Sequence, residues 1–410
     1  MNPATPVLTP CEQELLRRAQ ATRVAVICDL LEEHWPSMDL VGDMLFQNLA
    51  EHCGDVFASQ LRPSFERRAS TSEEGKLARN FKRWAWRFVY YPRWLRTQRD
   101  NYDLFHIVDH SYSQLVRNLP AGKTVVTCHD LDTFRCVIQP DADPRPAWFR
   151  AMAGQVLEGF KQAAHVIAVS EVTRAELLRY RLARPESITV IPNGVHPSCS
   201  PLAVPDIDRE AGERIGTSSA PVLLNVGNTL ARKRVDVFLR VAAAVRNDIP
   251  NIRIVRIGAL TPELRKLAAD LDLERSMVCL PFLERDMLAA VYRSATMLLH
   301  TAEAEGFGLP VIEALACGCP VVASDIPVLR EVAGTAATYC PVAEIDAWRD
   351  AVTRLLRENA NQPEQWRARC NHGLEQAARF SWAENARLTA RVYQNLRKAT
   401  PSTLLTASAS

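Results

Sequence analysis

The sequence predicts an α/β protein made of two doubly wound parallel-sheet units, and three observations carry that prediction. Short apolar runs alternate with longer stretches of helical periodicity, the pattern left by successive βαβ units. The alternation occurs in each half of the chain, on either side of a stretch rich in Pro, Ser and charge. At 410 residues the chain also exceeds what one core comfortably fills.

In the first half the strand candidates are Val24–Cys28, Leu104–Val108, Thr124–Cys128, His165–Val169 and Ser187–Ile191. In the second half they are Val222–Val226, Ile252–Ile257, Met277–Leu280, Thr296–His300 and Val321–Ala323. Each is a mainly apolar run too short for an independent helix. Between the halves, Pro197–Ala220 lacks apolar periodicity and reads as a linker, which sets domains at residues 1–200 and 201–380. A last helical pattern, Trp382–Lys398, gives a closing helix at 381–398, and the tail 399–410 is expected to be disordered.

Hydrophobic content of 47% and charged content of 23% are those of an ordinary soluble enzyme. A net charge of +2 gives no global electrostatic case for nucleic acid or membrane. The first apolar stretch, Val24–Leu31, is too short to span a bilayer and lacks a cleavage site, so neither a signal peptide nor a spanning helix is expected. The eleven cysteines are scattered without a C-x-x-C pair, which fits buried free thiols in a reducing cytoplasm rather than a zinc site.

Ligands of open parallel sheets bind beyond the carboxyl ends of the strands. The most informative stretch, residues 303–324 (EAEGFGLPVIEALACGCPVVAS), follows a predicted strand. It sets Glu305 and Glu313 eight positions apart across a loop that hands over to a helix at Pro310. Pro suits the first helical turn, Val311–Ala316 continues it, and Gly318 with Pro320 stops it. A glycine-preceded helix start offers unpaired N–H groups to an anion such as a nucleotide diphosphate. After strand Val222–Val226 comes Gly227-Asn228-Thr229-Leu230-Ala231-Arg232-Lys233-Arg234, a glycine followed by three cations, which also fits a pyrophosphate. In the first half, Thr124–Cys128 ends in His129 and Asp130, and Phe105–Val108 ends in Asp109 and His110.

These strings resemble the E-x7-E signature of retaining, nucleotide-sugar-dependent glycosyltransferases of family 4, over roughly residues 22–397. The resemblance implies the GT-B fold: two doubly wound Rossmann-like domains with a cleft between them, the last helix returning to the N-terminal one. It implies that Glu313 holds the nucleotide ribose, and that Glu305 holds sugar hydroxyls with the N–H groups of Phe307, Gly308 and Leu309. Gly227, Arg232 and Lys233 match the family's diphosphate-binding loop, although Asn228 stands where some members carry a further arginine. His129 matches a histidine placed beside the transferred sugar. Asp130 and His110 are the candidates for the acceptor side.

No metal or other cofactor is expected. Asp130-Leu131-Asp132 and Asp141-Ala142-Asp143 look like the metal-chelating D-x-D of another glycosyltransferase fold, but neither comes with an octahedral ligand set. Ser170 reads as a helix cap, and Asn193-Gly194 as a tight turn with positive φ. The loop Asp29–Leu40 lacks the family's Gly-Gly pair, so residue-by-residue transfer stops there. Residues Lys76–Arg99 interleave Arg and Lys with Trp84, Trp86, Phe88, Tyr90, Tyr91 and Trp94. They fit an amphipathic helix packed inward, and also peripheral contact with an anionic membrane at its cytoplasmic face. Stacking of nucleic acid is the weakest reading, and no nucleic-acid partner is expected.

The expected partners are thus a nucleoside diphosphate sugar and a glycan or lipid-linked acceptor. The alternatives are a phosphorylase or sugar-nucleotide epimerase of the same fold, or a non-catalytic sugar-nucleotide- or membrane-binding protein. A nicotinamide-dependent dehydrogenase is disfavoured, since no G-x-G-x-x-G follows any predicted strand.

Overall fold

The computed structural model describes residues 21–33, 35–65, 76–216 and 220–399. Contacts divide the chain into two compact units, residues 1–192 with 382–410 and residues 193–381.

The first unit holds a six-stranded parallel sheet of β1 (Thr22–Ile27), β2 (Val56–Leu61), β3 (Leu104–Ile107), β4 (Thr124–Cys128), β5 (His165–Ala168) and β6 (Ile188–Val190), in the order β2-β1-β3-β4-β5-β6. The order reverses between β1 and β3, which opens a crevice beyond their carboxyl ends. β2 is absent from the sequence-based set because it is an edge strand, half-exposed over most of its length, with Ser59 and Gln60 breaking the apolar run. One layer of the core joins Ala25, Ile27, Phe105, Val126 and Phe134, and the other joins Val24, Val26, Leu45 and Val125 to Ala386, Ala390 and Tyr393.

Those last three residues belong to the chain's final helix, Trp382–Ala399, which therefore seals the outer face of the first sheet. Its anchor is polar. The Tyr393 hydroxyl lies 2.6 Å from His106 Nδ1, and Thr127 Oγ1 lies 2.7 Å from His106 Nε2. Burial pushes the His106 pKa down to about 3, so the ring stays neutral.

The second unit holds β7 (Val222–Val226), β8 (Arg253–Ile257), β9 (Met277–Leu280), β10 (Met297–His300), β11 (Val321–Ser324) and β12 (Ala337–Cys340). Their order, β12-β11-β10-β7-β8-β9, reverses between β7 and β10. Residues that follow β7 and β10 are thereby brought to one edge although some seventy positions separate them. β12, a short edge strand, is likewise missing from the sequence-based set.

Several sequence-based expectations are corrected. The division falls at residue 192, not 200, and the supposed linker contains the helix Pro205–Ile215. That helix is anchored within the second unit, where Asp208 pairs with Arg293 and Ala211 and Ile215 are buried. Its polar sequence hid it because only a narrow stripe is covered. The segment read as a loop after β1 is already helical from Pro36, in the helix Pro36–His52. Neither Asn193 nor Gly194 has positive φ; Val195 N instead donates to Phe380 O at 3.1 Å. The tail from residue 400 and His34 lie outside the described residues.

Replacing Tyr393 by Phe should leave a buried imidazole nitrogen unpaired and cost about 1–3 kcal/mol. Chemical denaturation checks this, and a midpoint equal to wild type would show that the final helix is not held by this bond. Wild type should also lose stability as pH falls below about 6.5, because unfolded His106 binds a proton that the folded ring refuses.

Candidate functional site

In the second unit, β7 is followed by Gly227 with φ +141°, and a short turn, Ala231–Lys233, leads through Arg234 in the left-handed region (φ +47°) to the helix Val235–Asp248. β10 ends at His300, and residues 301–308 lead to the helix Leu309–Ala316. Backbone contacts fasten these loops together. Glu303 N donates to Arg232 O at 2.8 Å, and the Thr301 hydroxyl reaches Lys233 O at 3.2 Å and Arg234 O at 2.9 Å. Arg232 Nη1 donates to Ala304 O at 3.2 Å, and Arg234 pairs with Glu303 at 2.9 Å.

Glu305 sits at the middle of this junction with its side chain only 7% exposed. It accepts from Lys233 Nζ, it accepts from His300 Nε2 at 2.9 Å, and Arg232 Nη1 lies 3.6 Å away. Burial alone would raise its pKa, but Lys233, His300 and Arg232 together hold it well below the usual carboxylate range. Glu305 is therefore an ionised acceptor, and His300 carries its proton on Nε2. Three cation-bearing or donor side chains surround one carboxylate, so the cluster keeps positive charge for a further anion.

The helix after this loop starts at Leu309, one residue earlier than the sequence suggests, with Pro310 still in the first turn. Its N-cap is Gly308, at φ +96°, where a Cβ would stand 2.8 Å from Leu329 Cδ2. The far end closes as expected: Gly318 takes φ +73° and Cys319 N donates to Ala314 O at 2.9 Å. Phe307 is buried edge-on against Phe380, with ring centroids 5.6 Å apart. Its ring serves packing, which leaves only its backbone for ligand contact.

Glu313, on the same helix, is a different acid. It is buried, accepts from the Tyr292 hydroxyl at 3.2 Å, and has Arg285 Nη1 at 3.8 Å. Burial raises its pKa, and Arg285 and Tyr292 only partly offset that. Sequence reasoning missed His300, Tyr292 and Arg285. His300 had a usable signal, a histidine at the end of an apolar strand five residues before Glu305. Tyr292 and Arg285 lie on a separate helix, Arg285–Ser294, and only the fold brings them to Glu313.

In the first unit, His129 and His110 are buried beyond the ends of β4 and β3. His129 Nε2 donates to Val108 O at 2.8 Å, which leaves Nδ1 as an acceptor on a ring that burial keeps neutral. His110 Nδ1 lies 3.4 Å from both the His129 amide and Asp109 Oδ1, and its Nε2 lies 3.7 Å from Asp130 Oδ1. Asp109 also accepts from Ser111 N and Oγ at 2.8 and 2.6 Å. Asp29, after β1, is buried beside Asp109, and burial followed by Asp109 pushes its pKa well up. The D-x-D pairs serve locally: Asp130 Oδ1 accepts from Asp132 N at 3.0 Å, and Asp143 pairs with Arg145 at 2.8 Å. Ser170 Oγ accepts from Thr173 N at 3.0 Å, as a helix cap does.

Residues 51–198 match the family model described as Glycosyltransferase Family 4, and residues 209–371 match that described as Glycosyl transferases group 1. The chain belongs to this glycosyltransferase family. It is 29% identical over 286 residues to a D-inositol 3-phosphate glycosyltransferase of Segniliparus rotundus, covering 66% of this chain and 61% of that protein. The match thus spans about three fifths of that relative's length. Among solved structures, sucrose-phosphate synthase from Thermosynechococcus elongatus superposes with a TM-score of 0.71 at 19% identity, covering 92% of this chain and all of that chain. Anabaena HepE in complex with UDP-glucose gives 0.69 at 15% identity, with 91% and 100% covered. The two parallel sheets of this chain and these likenesses define a two-domain α/β GT-B fold.

The two acids should respond in opposite ways to neutralisation. Glu305→Gln should destabilise the protein at pH 7, and its deficit should shrink as pH falls below the ordinary Glu value of about 4.3, because the low folded pKa stabilises only while the unfolded acid is ionised. Glu313→Gln should be neutral or stabilising at pH 7, since its raised folded pKa costs stability once the acid is ionised. Urea denaturation from pH 3 to 8 checks both, and parallel curves for the two variants would refute the contrast.

Proposed function

We propose that this protein transfers a sugar from a nucleoside diphosphate sugar to an acceptor hydroxyl with retention of the anomeric configuration and without a metal ion. One observation carries the reading: Arg232, Lys233, Glu305 and the Gly308-capped helix meet at the point where the second sheet's order reverses. Such an edge offers cations and free helical N–H groups to a diphosphate, and a carboxylate to sugar hydroxyls. Relatives named as glycosyltransferases, among them a mannosyltransferase of Escherichia coli, and a HepE structure holding UDP-glucose support the same class.

On this reading the bond between the anomeric carbon and the diphosphate oxygen breaks while the acceptor oxygen attacks the same face. The departing phosphate takes the hydroxyl proton. Negative charge grows on that phosphate, so Lys233 and Arg232 contribute most in the transition state. Glu305, with the amides of Phe307, Gly308 and Leu309, orients the sugar. Glu313 takes the ribose hydroxyls, and its poorly compensated burial makes it a ready acceptor for them. In the first unit, His129 is a polar contact for the transferred sugar, and Asp130 and His110 supply polar contacts for the acceptor.

The helix Lys76–Ala85 and its continuation add a second surface to this proposal. Phe81 and Trp84 are exposed and stacked at 5.8 Å, Trp84 stacks on Phe88 at 6.2 Å, and residues 76–99 contain no acid. We assign this face to an anionic membrane on which a lipid-linked acceptor is presented.

Lys233→Ala should lower kcat by ~10²–10³-fold with a smaller change in donor KM, measured with the best donor from a screen of UDP-, GDP- and ADP-sugars. Loss confined to KM would remove Lys233 from the chemistry, and NMR of the product should give the donor's anomeric configuration. A chelator should leave turnover unchanged. Phe81→Ser with Trp84→Ser should reduce sedimentation with anionic vesicles but not turnover on a water-soluble acceptor. Equal vesicle binding by both proteins would exclude the membrane surface.

A further inference from the structure

Beneath the Gly227 loop lies a cation that the site described above does not use. Arg256, on β8 of the second unit's sheet, has no exposed surface. Its Nη2 donates to Gly227 O at 2.6 Å and to Asn228 O at 3.0 Å, and its Nη1 donates to Ile257 O at 2.9 Å. Its Nε has no hydrogen-bond partner, and among the described residues no carboxylate pairs with it. An arginine buried without a counter-charge is expensive, and burial lowers its pKa to about 10. Something must offset that cost when the site is at work.

Peptide geometry says where the benefit falls. No peptide bond among the described residues is cis, and in a trans peptide the C=O and the next N–H point in opposite directions. With the carbonyls of Gly227 and Asn228 drawn inward to Arg256, the amides of Asn228 and Thr229 face away from it. Neither amide donates to any acceptor among the described residues. The close approach of this loop to the end of β8 requires glycine: Gly258 has φ +113°, and a Cβ there would stand 2.3 Å from Gly227 O.

We propose that Arg256 is a positioning residue for the donor diphosphate. It holds two consecutive peptides so that their N–H groups form an anion cradle, and it places a buried positive charge behind them. This deepens the sugar-nucleotide reading and rests on it. The loop residue Asn228 carries no charge of its own, so Arg256 adds a cation from below to those of Arg232 and Lys233.

The test compares wild type, Arg256→Lys and Arg256→Met for binding of UDP, GDP and ADP by calorimetry, and of the matching nucleosides by ligand-observed NMR. Thermal unfolding follows the fold of each variant. Arg256→Met should bind the preferred diphosphate about tenfold or more weakly, while nucleoside binding stays at the wild-type level. Arg256→Lys, which keeps the charge but not the fork, should lose a few-fold. Equal diphosphate affinity in all three proteins, or equal loss of diphosphate and nucleoside, would overturn the positioning role alone. If Arg256→Met does not fold, Arg256→Lys decides: wild-type diphosphate affinity overturns the proposal and a selective loss sustains it. Wild-type protein that binds none of the three diphosphates would instead bring down the sugar-nucleotide reading, and this inference with it.

Discussion

An ionised carboxylate with 7% of its side chain exposed survives only if cations come to it, and Glu305 is held by Lys233, Arg232 and His300. That requirement determines the shape of the site. Lys233 and Arg232 must reach Glu305 from the segment after β7, so the segment after β10 has to lie against them. The contacts of Thr301 and Glu303 with backbone carbonyls 232–234 follow from the same closure. Arg234 accepts a left-handed backbone at the turn and is tied to Asp236 and Glu303 in return.

Sheet order supplies the place where this closure can happen. In both units the strand order reverses once, between β1 and β3 and between β7 and β10, and the chemistry-bearing residues follow those strands or their neighbours. The two edges differ in electrostatic character. The second unit's edge gathers cations around one ionised acid. The first unit's edge gathers Asp29, Asp109, His110 and His129, where burial followed by Asp109 raises the Asp29 pKa and burial lowers that of His129. The former suits an anion, and the latter suits hydroxyl groups that both donate and accept.

The central strands were legible because burial on both faces makes them continuous apolar runs, as in Val222–Val226. The edge strands Val56–Leu61 and Ala337–Cys340 were not, since partial exposure admits Ser, Gln, Thr and Tyr into them. Glu305, Glu313 and Lys233 could be picked out from spacing and glycine placement. Arg256 could not, because an arginine in a strand normally signals a solvent-facing position, and its real partners are carbonyls on the adjacent strand's loop. Arg285 and Tyr292 were invisible for a similar reason: their meaning depends on Glu313, which only packing brings near.

The ionisation state of Glu305 underlies the whole arrangement, and it can be read directly. Side-chain carboxyl carbons of labelled glutamate, with Glu305 assigned through its Gln variant, can be followed by NMR as pH is lowered. The Glu305 signal is expected to show no inflection near the ordinary Glu value of about 4.3 and to remain that of a carboxylate well below it. An inflection at or above that value would mean that Lys233, Arg232 and His300 do not hold the acid ionised, and the account of the site would fail.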